Sequence, residues 1–187
     1  MALSLVLLCG CSGENRAMKA AMELRTQLLE RGCRFTAEIE AHPDDGTAAF
    51  TLSCACDPAG NVTLEVTAPE SIAGITATVE PGARQARFED VALDFGLLAN
   101  GQLAPMAIPQ LLYGAWTGEY IREAGADGDR LTAVYLSGWG DRELVIEQWL
   151  DPDAAPVYAD LWCGARNVAS VKISDFVLGG KEEALQP

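Results

Sequence analysis

Cys33-Arg34-Phe35-Thr36-Ala37-Glu38-Ile39-Glu40-Ala41 is the stretch that decides the fold. Its apolar residues fall on every second position, with Arg34, Thr36, Glu38 and Glu40 between them. That period of two belongs to a strand with one buried and one wet face. His42-Pro43-Asp44-Asp45-Gly46 follows, a turn composition. Ala48 to Cys56 then alternates again, with Phe50, Leu52, Cys54 and Cys56 on one side. Setting Ala41 opposite Ala48 makes a hairpin. Ile39 then faces Phe50, Ala37 faces Leu52, Phe35 faces Cys54 and Cys33 faces Cys56.

The same pattern extends downstream. Asp57-Pro58-Ala59-Gly60 reads as a turn with Pro where a type I turn prefers it. Val62, Leu64 and Val66 alternate with threonines and Glu65, and Ile75, Ala77 and Val79 repeat the pattern before Pro81-Gly82. Residues 86–95 read as one more strand, with a bulge where apolar parity shifts at Glu89-Asp90. Upstream the period is helical. Ala17, Ala20, Ala21, Leu24, Leu28 and Leu29 predict a helix over 15–31, and Gly32 stands where a C-terminal cap belongs.

The middle of the chain breaks the strand pattern. Pro105, Pro109 and a compact apolar group ending at Trp116 predict a short helix from about Pro109. Strands are then expected over 119–123, 131–137, 142–150, 157–163 and 168–177, separated by the turns Gly125–Gly128, Gly138–Asp141 and Asp151–Asp153. The order is helix, meander, helical insert, meander. A one-sided sheet of that length curls. The expected fold is α+β and mainly antiparallel β: a strongly curved half-barrel sheet whose concave face is covered by the N-terminal helix and the insert.

Composition narrows the function. A chain of 187 residues can bury roughly 70% of the surface its unfolded form exposes. It is 49% hydrophobic, far too apolar for a disordered chain. Twenty-seven acidic against 13 basic residues give a net charge of −14 and a pI near 4.3. Nucleic-acid binding is not expected, because phosphate contacts need clustered Lys and Arg. Anionic lipid headgroups would also repel such a surface, so residence at a membrane needs another anchor.

The N-terminus offers one. Ala2 to Leu8 is apolar, and Leu8-Cys9-Gly10-Cys11 resembles a bacterial lipobox. That resemblance implies cleavage before Cys11, removal of Cys9 and lipidation of the Cys11 thiol. Each buried methylene contributes about 0.8 kcal/mol, so two or more acyl chains anchor stably. The segment departs from a usual signal peptide in carrying no Lys or Arg before Arg16. The expected organisation is a signal peptide over 1–10, a lipidated tether over 11–15, the folded domain over 16–180 and a loose tail over 181–187. An extended Ser12–Asn15 tether would span at most about 14 Å.

The element order also resembles the LolA/LolB-like family of lipoprotein carriers. Val66-Thr67-Ala68-Pro69-Glu70, Trp149-Leu150-Asp151-Pro152 leading to Pro156-Val157, and Val171-Lys172-Ile173-Ser174-Asp175-Phe176 carry the resemblance. With its lipobox and acidity the chain looks nearest to lipid-anchored members of Gram-positive, spore-forming clostridia. The resemblance implies an extracytoplasmic protein on the outer face of the cytoplasmic membrane. It also implies a hydrophobic ligand such as a lipid or acyl chain, in a cavity for which Phe35, Ile39, Phe50, Leu52, Leu64 and Val66 are candidates. The alternative is a non-enzymatic interaction or scaffold protein for an envelope or cell-wall enzyme, as in spore germination.

Catalytic candidates are few. His42 is the sole histidine and stands in an acidic turn, no G-x-S-x-G elbow exists, and Asp127-Gly128-Asp129 lacks the further ligands of a calcium loop. No enzyme, metal or cofactor is expected. Cys33 and Cys56, opposed in the hairpin, could be joined by a disulfide at an extracytoplasmic site. Buried free thiols, or a thiolate site with Cys54 and Cys163, are the other readings. Phe35, Phe50, Tyr113, Trp116, Tyr135 and Trp149 read as core before ligand platform.

Overall fold

The computed structural model describes residues 11–43, 46–81, 85–88, 91–94, 105–118, 120–137 and 143–179. Leu8, Cys9, Gly10 and the 181–187 tail therefore lie outside the described residues.

Helix α1 covers Cys11–Arg31. The chain is already helical at Cys11, four residues before the expected start of the helix, so the segment read as an extended tether is helical. Gly32 ends it: its amide donates to the Leu28 carbonyl at 2.8 Å, and its φ of 69° is the left-handed value that glycine adopts without strain. The hairpin follows with the expected bounds, β1 (Cys33–Ala41) and β2 (Ala48–Cys56). Its register runs from Ala41 opposite Ala48 to Cys33 opposite Cys56, as the alternation predicted. Strands β3 (Val62–Ala68) and β4 (Thr76–Val79) extend the meander.

Two expectations need correction. Residues 86–95 do not form one bulged strand. Strands β5 (Gln85–Phe88) and β6 (Val91–Asp94) pair antiparallel, with Phe88 opposite Val91. The parity shift read at Glu89-Asp90 thus falls between two paired strands and not within one. Strand β7 (Ile121–Asp127) lies later than expected. Gly125 and Ala126, read as turn residues, pair with Thr132 and Leu131, and only Gly128-Asp129 separate the opposed Asp127 and Arg130.

The second meander continues through β8 (Arg130–Ser137), β9 (Leu144–Leu150), β10 (Pro156–Cys163) and β11 (Arg166–Leu178). The sheet order is β6-β5-β4-β3-β2-β1-β11-β10-β9-β8-β7. Two meanders, each local in sequence, are therefore welded by one long-range antiparallel pair, β1 with β11. A bulge interrupts that pair between Arg34 and Thr36. Opposite it, Asp175 has φ 53°. This resets the side-chain alternation of β11, so Phe176 and Leu178 pack on the core although Ile173 sets the opposite parity.

Helix α2 (Ile108–Thr117) is the insert, with Pro109 in its first turn. It touches both β3 and β8, six strand spacings apart in the sheet order. Six spacings of a flat sheet span about 29 Å, and ten helical residues are only about 15 Å long. The sheet is accordingly an open curved one, with α1 and α2 inside the curve.

Candidate functional site

The concave face is built from the inward residue of each alternation. Cys33, Phe35, Ala37 and Ile39 of β1 join Leu52, Cys54 and Cys56 of β2, Val62, Leu64 and Val66 of β3, and Ala133, Tyr135, Leu144, Ile146, Leu161 and Val171 across the second meander. All are buried. Helix α1 turns Ala17, Ala20, Ala21, Leu24 and Leu28 onto this surface. Three alanines in that stripe let the helix backbone approach the sheet closely. Helix α2 adds Ile108, Leu112, Tyr113 and Trp116.

Trp116 fills the centre. Its ring meets Phe35 edge-on at 5.4 Å between centroids and Phe176 at 6.1 Å. Its indole N–H donates to Gln148 Oε1 at 2.9 Å. Gln148 is fully buried, and its amide nitrogen donates to the Trp149 and Tyr158 carbonyls, both at 2.8 Å. One glutamine thus satisfies the indole and two backbone oxygens beside the β9–β10 bulge. Sequence reading missed it. The available signal was a polar residue on the inward stripe Leu144, Ile146, Gln148, Leu150.

The two helices are fastened to each other and to the sheet. Arg25 Nε donates to the Thr117 carbonyl at 3.1 Å, placing a cation at the negative end of α2. The Tyr113 hydroxyl lies 3.1 Å from the Leu28 carbonyl and 2.8 Å from that of Asp57, and its proton serves one at a time. Burial pushes the Tyr113 and Tyr135 hydroxyls up from their ordinary pKa.

Of the six residues expected to line a hydrophobic cavity, the structure brings Phe35, Ile39, Leu52, Leu64 and Val66 together as buried core, and Phe50 packs against them partly buried. Five of the six aromatics singled out in the sequence, all but Trp149, belong to this core or pack on it. Trp149 lies instead on the outer face, edge-on to Tyr158 at 5.4 Å.

The outer face is polar. A groove of about 810 Å³ crosses β1 to β4, lined by Arg34, Thr36, Ser53, Thr63, Glu65 and Thr78 among others. A second, of about 520 Å³, runs past Glu38, Glu40, Thr51, Tyr158, Ser170 and Lys172. Lys172 and Glu38 pair across it at 2.9 Å. Beside Tyr158, Asp160 Oδ1 accepts from the hydroxyls of Tyr158 (2.9 Å) and Ser170 (2.6 Å) and from the Asn167 amide (3.2 Å).

His42 follows β1, its amide donating to the Val168 carbonyl at 3.0 Å. Among the described residues no group of three His, Cys, Asp or Glu side chains could hold a metal ion, and no helix is long and apolar enough to cross a membrane. The structure does bring three thiols to one corner. Cys33 and Cys56 are directly opposed in the register, and Cys54 is next along the inward stripe of β2, its thiol 3.8 Å from the Leu52 carbonyl. All three are buried and unbridged.

The chain is similar to a LolA superfamily structure. That protein, NE2245 from Nitrosomonas europaea, is 15% identical with a TM-score of 0.42, over 86% of this chain and 94% of that one. A chain in the structure of the CwlD amidase from Clostridioides difficile in complex with the GerS lipoprotein is 14% identical (TM-score 0.40, 95% and 99% covered). LprF from Mycobacterium bovis is 11% identical (TM-score 0.39, 90% and 98% covered). No family model and no curated protein matches.

Proposed function

We propose that this chain is a lipid-anchored, non-enzymatic interaction protein of the bacterial envelope, which holds a protein partner on the outer face of its sheet. One observation carries this reading over that of an acyl-chain carrier. Among the described residues the concave face is packed with the protein's own side chains, with Trp116 seated between Phe35 and Phe176. The two outer grooves, with their hydroxyls and carboxylates, remain open to a partner.

Titrating the purified protein with a fluorescent fatty acid separates the two readings. No saturable binding is expected, and binding at one ligand per chain would overturn the proposal. In intact cells, a photo-crosslinking side chain at Thr78, on the outer face, should capture one envelope protein. Capture from Glu23 on the solvent side of α1 but not from Thr78 would place the partner elsewhere.

The anchor makes a separate prediction. The chain is already helical at Cys11, so lipid on that residue would hold α1 at the bilayer with no extended spacer. Cys11→Ala should move the protein from the membrane fraction to the soluble fraction. A variant that stays with the membrane would sink the lipobox reading.

A further inference from the structure

We propose that Cys33 and Cys56 are a disulfide site, oxidised while the chain folds and then sealed beneath the two helices. The register puts the two residues directly opposite each other at the open end of the β1–β2 hairpin. Opposed residues of antiparallel strands have Cα atoms about 4.5 or about 5.5 Å apart, according to their hydrogen bonding, and a disulfide accepts either separation.

The other two described cysteines are worse partners. Cys54 stands opposite Phe35, and its thiol is turned to the Leu52 carbonyl. Cys163 stands between Leu144 and Arg166 in the second meander. The site is also a junction. Gly32, which ends α1, precedes Cys33, and Asp57, whose carbonyl receives the Tyr113 hydroxyl of α2, follows Cys56. A bond here would tie β1 to β2 where both helices meet the sheet.

The chemistry is thiol–disulfide exchange. The thiolate of one cysteine attacks a donor disulfide of a small molecule or an envelope thiol oxidase. A mixed disulfide forms and one donor thiolate leaves. The second cysteine, deprotonated, attacks the protein sulfur of that mixed disulfide, closes Cys33–Cys56 and expels the second donor thiolate. The protein loses two hydrogens and two donor thiols form. Exchange needs a thiolate and access. In the folded chain both cysteines are buried, and the adjoining Cys33 side chain and burial push the Cys56 thiol up from its ordinary pKa. Oxidation therefore belongs to the period before α1 and α2 close over the corner.

Occurrence in the cell rests on the envelope location proposed above, but the geometry can be tested without it. The full chain carrying Cys9→Ser and Cys11→Ser is reduced, unfolded and refolded in mixed reduced and oxidised glutathione, then alkylated and mapped by mass spectrometry. The expected product has one Cys33–Cys56 bridge, with Cys54 and Cys163 alkylated. The same protein folded first and then placed in that buffer should oxidise at least about tenfold more slowly. Cys54→Ala should form the same bridge. A bridge to Cys54 or Cys163, no bridge, loss of the bridge in Cys54→Ala, or equal rates from folded and unfolded protein would each overturn the proposal. A bridge formed in vitro by a chain found reduced in the cytosol would sink the location reading alone.

Discussion

Trp116→Ala is expected to lower the unfolding free energy by about 3–5 kcal/mol, the range for deleting a large buried aromatic. The ring is 1% exposed and lies between Phe35 and Phe176, so its removal leaves a void that the surrounding strands cannot collapse to fill. The change also strips Gln148 Oε1 of its donor. Domains of this kind are stable by about 5–15 kcal/mol in total, so the loss is a large share. Guanidinium unfolding measures it. Trp116→Phe keeps a ring but loses the indole N–H, and its cost should fall near 1–3 kcal/mol, the penalty for a buried acceptor left unpaired. A loss under about 1 kcal/mol for Trp116→Ala would mean that α2 is not part of the core. The same variant bears on function. If Trp116 is what occupies the concave face, its alanine variant should gain binding of a hydrophobic dye that the parent protein lacks.

Most of the fold could be read in the sequence because most of its pairing is local. Alternation in residues 33–41 and 48–56 fixed both bounds and register of the first hairpin, since a slip by one residue would turn Phe35 and Ile39 to solvent. The junction of β1 with β11 had no such signal. It joins residues far apart in the chain, and many strands could have served as partner. Parity breaks were visible but ambiguous. One shift falls between the antiparallel strands β5 and β6, whereas the one between Ile173 and Phe176 marks a bulge that brings Phe176 to Trp116. Alternation reports which face a residue takes and not why the face changes. The candidate cavity residues were found for the same reason that they proved to be core: inward apolar positions read alike whether they line a hollow or fill it. What fills it here is α2, with its Trp116 held by Gln148, and neither contact has a local spacing to betray it.

Gly32→Ala should be among the most damaging small substitutions in the chain. Two separate demands meet at this residue. Its φ of 69° costs a non-glycine residue about 1–2 kcal/mol. A Cβ built there would also fall inside the van der Waals shell of the Cys56 carbonyl oxygen, with Asp57 Cα 3.1 Å away. Those are backbone atoms of β2 and its turn, which no side-chain rotation can move aside. Asparagine distinguishes the two demands, because it tolerates the left-handed conformation far better than alanine does. Gly32→Asn should therefore be no rescue, since its Cβ meets the same carbonyl. Gly128 serves as control: its φ is 60°, and a Cβ there meets nothing within 4 Å. Gly128→Asn should cost no more than about 1 kcal/mol. Thermal or denaturant unfolding of the three variants gives the comparison. If Gly32→Asn proves as mild as Gly128→Asn, the end of α1 does not press on β2, and the close corner in which Cys33 meets Cys56 is looser than this structure holds it.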